Sequence, residues 1–263
     1  MRTKLVAGNW KMNLTAKEAV AVVEAFVEMV ASRNDVDVVL CPSAIVIPKV
    51  RELLRNTHIK IGGQDVFWQE SGAFTGQISA AMLADAGADY CIVGHSETRG
   101  RFGKLETPES TVPYFAETDE TVNLKIKRLL FHAITPILCV GETLAEREAE
   151  QTEAVIEKQL VAALEGVDPS ELASFVVAYE PVWAIGTGKT CASDEANRVC
   201  GFIRDVLAKT VEPEVVEHIR VLYGGSVKGA NSYELFSQPF IDGGLVGGAS
   251  LDPGEFSRIV SNA

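Results

Sequence analysis

Long apolar runs are missing from this chain. No segment reaches the roughly 18 consecutive apolar residues of a membrane-spanning helix. Met1 leads straight into Lys4-Leu5-Val6-Ala7-Gly8, with no charged stretch ahead of a long apolar one. A membrane role is not expected, and a cytoplasmic protein is the simplest expectation. Basic charge is also scarce: 24 lysines and arginines stand against 36 aspartates and glutamates, a net charge of −12 without any basic cluster. Nucleic acid and anionic membranes would be repelled on average. A small anion is not excluded, because a cradle of N–H groups and one lysine acts at short range. Cysteine pairs are lacking as well. Cys41, Cys91, Cys139, Cys191 and Cys200 are odd in number and far apart, with no Cys-x-x-Cys or Cys/His cluster. They read as reduced core thiols, and a structural metal site has no support.

What is present is a repeating alternation. Short apolar runs at 5–7, 38–40, 59–61, 90–93, 137–140, 176–178, 221–223 and 245–246 each end in small or polar residues. Between them lie stretches of helical periodicity, clearest at 16–29, 118–130, 143–164 and 194–207. Asp168-Pro169 and Glu212-Pro213 mark turns, and Asp252-Pro253 marks a helix start. Eight strand candidates alternating with helices in 263 residues predict a single-domain α/β fold, a closed (β/α)₈ barrel. A two-domain doubly wound sheet is the alternative, but no linker or compositional break divides the chain. The longest gap between strand candidates, 93 to 137, holds a polar stretch with two prolines. It reads as a surface insertion at about 103–115.

In such a barrel, chemistry collects where strands end. The first strand candidate ends in Asn9-Trp10-Lys11, the fourth in Gly94-His95-Ser96-Glu97, and the sixth in Glu180. The seventh ends in Gly224-Gly225-Ser226 and the eighth in Gly247-Gly248. Glu180 opens the run Glu180-Pro181-Val182-Trp183-Ala184-Ile185-Gly186-Thr187-Gly188-Lys189-Thr190. There Pro181 holds Glu180 extended, while the glycines bring bare N–H groups to an anion. A general base, a hinge and a phosphate cradle fit within it; an ordinary strand-to-helix loop is the plainer reading. His58, His132 and His218 precede strands, whereas His95 follows one. A helix expected to begin just after Ser96 would disfavour imidazolium and leave His95 neutral, able to donate to a carbonyl and shuttle protons. Lys11, Ser226 and the glycine pairs, on one rim, point to a phosphorylated substrate.

Five segments carry a family resemblance: Ala7-Gly8-Asn9-Trp10-Lys11-Met12-Asn13, Gly72-Ala73-Phe74-Thr75-Gly76, Gly94-His95-Ser96-Glu97, the 179–190 run and Tyr223-Gly224-Gly225-Ser226. In these the chain resembles the triosephosphate isomerases. The resemblance implies a cofactor-free and metal-free aldose–ketose isomerase of glycolysis and gluconeogenesis, acting on dihydroxyacetone phosphate and glyceraldehyde 3-phosphate. It makes Glu180 the base, His95 the electrophile and proton shuttle, Lys11 the positive charge, and Asn9 an orienting group, with Glu97 beside Lys11. Substrate contacts are implied for Asn9, Trp10, Lys11, Gly186, Ser226, Gly247 and Gly248. Lid hinges are implied at Pro181, Val182, Trp183 and at Lys189, Thr190, Cys191. A homodimer is also implied, with the Phe74, Thr75, Gly76 loop reaching the partner near Asn13 and Glu97.

The chain departs from the family in carrying Gln77 where glutamate is usual, Thr98 for arginine, Asp65 for asparagine and Cys191 for alanine. Losing both Gln77's and Thr98's charged counterparts together leaves no stranded charge, so a dimer with a less ionic contact is expected. The 103–115 insertion could cover the rim, extend the dimer surface or be an inert loop. Two other functions remain open at this level. One is another phosphate-binding barrel isomerase or aldolase, although no strand interior offers a Schiff-base lysine; the other is a binding protein without activity.

Overall fold

Every one of the eight apolar runs becomes a strand in the computed structural model, which describes residues 2–263. They are β1 (Leu5–Asn9), β2 (Asp37–Cys41), β3 (Lys60–Gly63), β4 (Tyr90–Val93), β5 (Thr135–Val140), β6 (Val176–Tyr179), β7 (Arg220–Tyr223) and β8 (Gly243–Val246). All neighbours pair in parallel, and β1 pairs with both β2 and β8, closing a single-domain (β/α)₈ barrel. Apart from Lys60, exposed at the start of β3, the runs are apolar throughout because both faces are covered. Leu5, Ala7, Val39, Cys41, Ile92, Ile137, Cys139, Val176, Ala178, Leu222 and Leu245 form one buried cluster. Their strand neighbours, such as Val6, Val38, Leu40 and Val177, belong to a second cluster shared with the helices. That alternation is the period of two expected of a barrel filled by side chains.

Among the described residues ten helices follow the strands: α1 (Ala16–Val30), α2 (Ile47–Leu54), α3 (Ala80–Asp85), α4 (Asp119–Phe131), α5 (Leu144–Glu148), α6 (Thr152–Leu164), α7 (Ser193–Thr210), α8 (Pro213–Val216), α9 (Ser232–Phe236) and α10 (Pro253–Ser261). Thr15 with Glu18 caps α1, Thr118 with Thr121 caps α4, and Asp252 caps α10 ahead of Pro253, which satisfies N–H groups that a helix start leaves unpaired. The helix expected over 143–164 is two helices. Glu150 takes φ 56° and the Gln151 N–H donates to the Glu146 carbonyl, a six-to-one helix stop built without glycine. Among the described residues no helix is long and apolar enough to cross a membrane, and all five cysteines are free and buried.

Candidate active site

The end of β6 delivers Glu180 to the centre of the barrel mouth. Its N–H donates to the Val140 carbonyl at 2.8 Å, and a side chain on Gly141 would overlap the Glu180 carbonyl, so the β5 loop clamps the base from below. Glu180 is 2 % exposed. One carboxylate oxygen lies 2.9 Å from His95 Nε2, and the other accepts the Ser96 N–H at 2.9 Å. Burial opposes its charge, but His95, the Ser96 N–H and Lys11 outweigh this and hold its pKa below the ordinary 4.5. It is therefore an ionised base at neutral pH.

The helix expected after Ser96 is a single turn closed at Gly100, too short for a macrodipole. The tautomer of His95 is set instead by the Glu97 N–H, which donates to His95 Nδ1 at 3.1 Å and requires an unprotonated nitrogen there. The ring proton then sits on Nε2, facing Glu180. Burial disfavours a charged ring, yet Glu180, and after it Glu97, raise its pKa above 6.5. Glu180 is the larger of the two upward pulls, so moving it off the ring strengthens the hold of burial, which favours the neutral form.

Lys11 follows β1 with φ 52°, a left-handed conformation uncommon for a residue with a side chain. Such strain persists only where the surroundings enforce it. Asn9 Oδ1 accepts the Lys11 N–H at 3.0 Å, and Gln64 Nε2 donates to the Lys11 carbonyl at 2.8 Å. The ammonium forms an ion pair with Glu97. Trp10, expected at the substrate, is instead wholly buried in the core between barrel and helices and off the cavity wall.

These residues line one cavity of about 540 Å³, together with Gly186, Ser226, Gly247 and Gly248. Three glycine-bearing loops thus meet Lys11, His95 and Glu180, the parts needed to hold a phosphate beside a carbon acid. Among the described residues no group of three His, Cys, Asp or Glu side chains is placed to hold a metal ion. The 181–191 run starts as a short 3-10 turn, Val182–Ala184, behind Pro181 at φ −67°. Buried Glu142 anchors this hinge. It accepts Trp183 Nε1 at 2.8 Å and Tyr179 Oη at 3.1 Å, while the Arg147 guanidinium lies 4.6 Å from the Trp183 ring centre. Farther along, Gly186 and Gly188 take φ 69° and 79° and face open space. Lys189 and Thr190 are exposed and Cys191 is buried, where burial pushes its thiol up to about 12.

The 103–115 segment, expected to be an insertion, stands on the rim. Phe102, Gly103, Lys104, Leu105, Glu106, Thr107 and Phe115 line the cavity beside Ile185. Four contributors lie outside the residues that the sequence singles out: the Ser96 N–H, Gln64 behind Lys11, Glu142 behind Trp183, and Lys228 on the cavity wall beside Ser226. Only Lys228 had a usable signal, directly after the Gly224-Gly225-Ser226 loop; the others act through backbone atoms or from behind.

On the flank formed by the loops after β1, β2 and β3, apolar side chains stand in solvent. Met12 is 97 % exposed, Ile45 87 % and Phe74 42 %. Thr98 turns away from this flank, its hydroxyl donating to Glu117 at 2.6 Å, and Lys125 Nζ lies 2.6 Å from both Glu117 and Asp65.

The family model described as triosephosphate isomerase matches residues 4–263. A triosephosphate isomerase of Alkaliphilus oremlandii is 46 % identical over 261 residues, covering 99 % of this chain and 100 % of the relative. One of Citrifermentans bemidjiense is 46 % identical over 260 residues, 99 % of this chain and 98 % of its own length. One of Rhodopirellula baltica is 45 % identical over 262 residues, 100 % of this chain and 98 % of its own. That match spans the whole barrel and the segments that supply the Glu180–His95 pair and the glycine-lined cavity, and the chain belongs to the triosephosphate isomerase family.

Proposed function

We propose that this chain interconverts dihydroxyacetone phosphate and D-glyceraldehyde 3-phosphate through an enediol(ate). The observation that carries this reading is the 2.9 Å approach of Glu180 to His95 in a cavity that also holds Lys11 and three glycine loops. Both Glu180 oxygens are engaged here, so the carboxylate swings off His95 and Ser96 onto the substrate's carbon. It removes a proton from C1 of the ketone; the C–H electrons form the C1–C2 double bond and the carbonyl pair moves to O2. Neutral His95 donates from Nε2 to O2 and carries a proton between O2 and O1. Lys11 stabilises the negative oxygen, with Asn9 holding its backbone in place and Glu97 holding its ammonium. Glu180 returns its proton to C2, and no atom is gained or lost.

The phosphate sits among the N–H groups of Gly186, Ser226, Gly247 and Gly248. Residues 181–191 form a lid hinged at Pro181-Val182-Trp183 and Lys189-Thr190-Cys191, and its closure brings the Gly186 N–H onto the phosphate and shuts out water. The test is turnover of dihydroxyacetone phosphate coupled to oxidation of the product. Conversion is expected; a folded chain that binds triose phosphate without converting it would be a binding protein.

The working unit is a homodimer in the cytoplasm. Met12, Ile45 and Phe74 lie exposed on loops after three adjacent strands, an apolar flank of the kind that marks an interface. Thr98 and Gln77 remove charge from it, and Glu117 is satisfied inside the subunit. Sedimentation at micromolar concentration is expected to give a dimer, and Phe74→Asp a monomer; a wild-type monomer would contradict this.

A further inference from the structure

The 101–115 segment is fastened at its base and meets the lid at Gly103. The Arg101 N–H donates to the Ser96 carbonyl at 2.8 Å, and its guanidinium donates to the Gly141 carbonyl at 3.1 Å and pairs with Glu146. Phe102 and Phe115 meet edge to face at 5.5 Å, and a side chain on Gly100 would lie 3.3 Å from the Phe115 carbonyl oxygen. The segment is thus a loop with a closed neck, rooted in the same β5 loop that clamps Glu180. Above the neck, Gly103 lies flat against the lid. A side chain there would overlap the carbonyl oxygens of Val182 and Ile185 and come within 3.0 Å of Thr187 Cγ2. The Cα–H that such a side chain would replace is aimed at both oxygens, a paired weak contact. The two tip glycines have no such partner, since the side-chain directions of Gly186 and Gly188 meet nothing within 4 Å. In the same conformation Glu180 is held by His95 and Ser96.

We infer that Gly103 is a positioning residue for the lid: it docks the first hinge against the 101–115 segment and stabilises the open state in which Glu180 is parked on His95 and Ser96. The inference rests on the isomerase and lid reading above. Closing over a phosphate must break this dock, so the dock lowers apparent affinity for any ligand that draws the lid shut. No other L residue fits, because a Cβ occupies the space between the two oxygens.

The test uses glycerol 3-phosphate, which carries the phosphate and three-carbon chain without a carbonyl. Its binding is measured by calorimetry to wild type, to Gly103→Ala, and to a chain in which residues 102–114 are replaced by a short Gly-Ser link across the closed neck. One variant overfills the dock and the other removes it, so both are expected to bind about fivefold more tightly, the effect of two lost Cα–H contacts in the open state alone. KM should fall in step, with kcat falling too where lid opening limits release. Damage to the fold weakens binding, so tightening in both variants separates positioning from mere support. Affinity unchanged or weakened in either variant, with wild type binding and turning over normally, overturns the dock. A wild type that neither binds the probe nor converts triose phosphate removes the isomerase reading and the dock together.

Discussion

Lys125, 5 % exposed, sits between Asp65 and Glu117 and is the only cation within reach of both among the described residues. Burial alone would lower its pKa, but the two carboxylates raise it above the ordinary lysine value. Removing one member of a buried ionic group leaves the rest uncompensated. Lys125→Met is therefore expected to cost about 3–5 kcal/mol at neutral pH, read from urea denaturation midpoints, with the loss shrinking in acid as Asp65, whose pKa burial raises above 3.8, takes up a proton. A midpoint unchanged at pH 7 would contradict this role. The departures at Thr98 and Asp65 are visible in the sequence, but their consequence is not, because it depends on a hydroxyl and an ammonium meeting across 19 and 60 residues of chain. Glu180, His95 and Lys11 are legible because each directly follows an apolar run. The protonation site of His95 is not legible, since a backbone N–H sets it rather than the helix that the sequence suggests.

The 181–191 run proposed as a lid has its own signature, with proline at one end and two glycines along it, and its left-handed glycines are where the sequence places them. Its chemical purpose follows from the intermediate: an enediolate next to a phosphate ester expels phosphate unless water is excluded and the ester is held near the carbon plane. Deleting residues 185–188 is expected to raise methylglyoxal and free phosphate relative to isomerised product, measured from one reaction mixture. An unchanged ratio would mean that the lid does not protect the intermediate. The 143–164 stretch reads as one helix because nothing in Ala149-Glu150-Gln151 announces a stop. The left-handed turn at Glu150 parts α5 from α6 and is closed by the Gln151 N–H on the Glu146 carbonyl. The 101–115 segment is legible as a polar stretch between two strands, but its position over the cavity is not. Its contact with the lid joins residues about 80 positions apart through backbone atoms, which composition does not encode.

For the molecule as a whole, eight apolar runs of similar length give the barrel, and the parallel pairing of β1 with β8 closes it. Closure is what gathers Asn9, His95, Glu180, Ser226 and Gly247 from five strand ends onto one rim, so the fold and the site are one inference in this sequence. The net charge of −12 does not oppose an anionic substrate there, because Lys11, Lys228 and the loop N–H groups act within a few ångströms, inside the roughly 10 Å over which salt screens distant charge. The central claim is that Glu180 moves the proton that makes this barrel an isomerase. It is tested most directly by incubating dihydroxyacetone phosphate in D₂O with wild type and with Glu180→Gln of matched folding and melting temperature, and following both deuterium at carbon and conversion to the aldehyde. The account predicts exchange and conversion by wild type, with both falling about 10²–10⁴-fold in the variant; a variant that still exchanges and converts at the wild-type rate would contradict it.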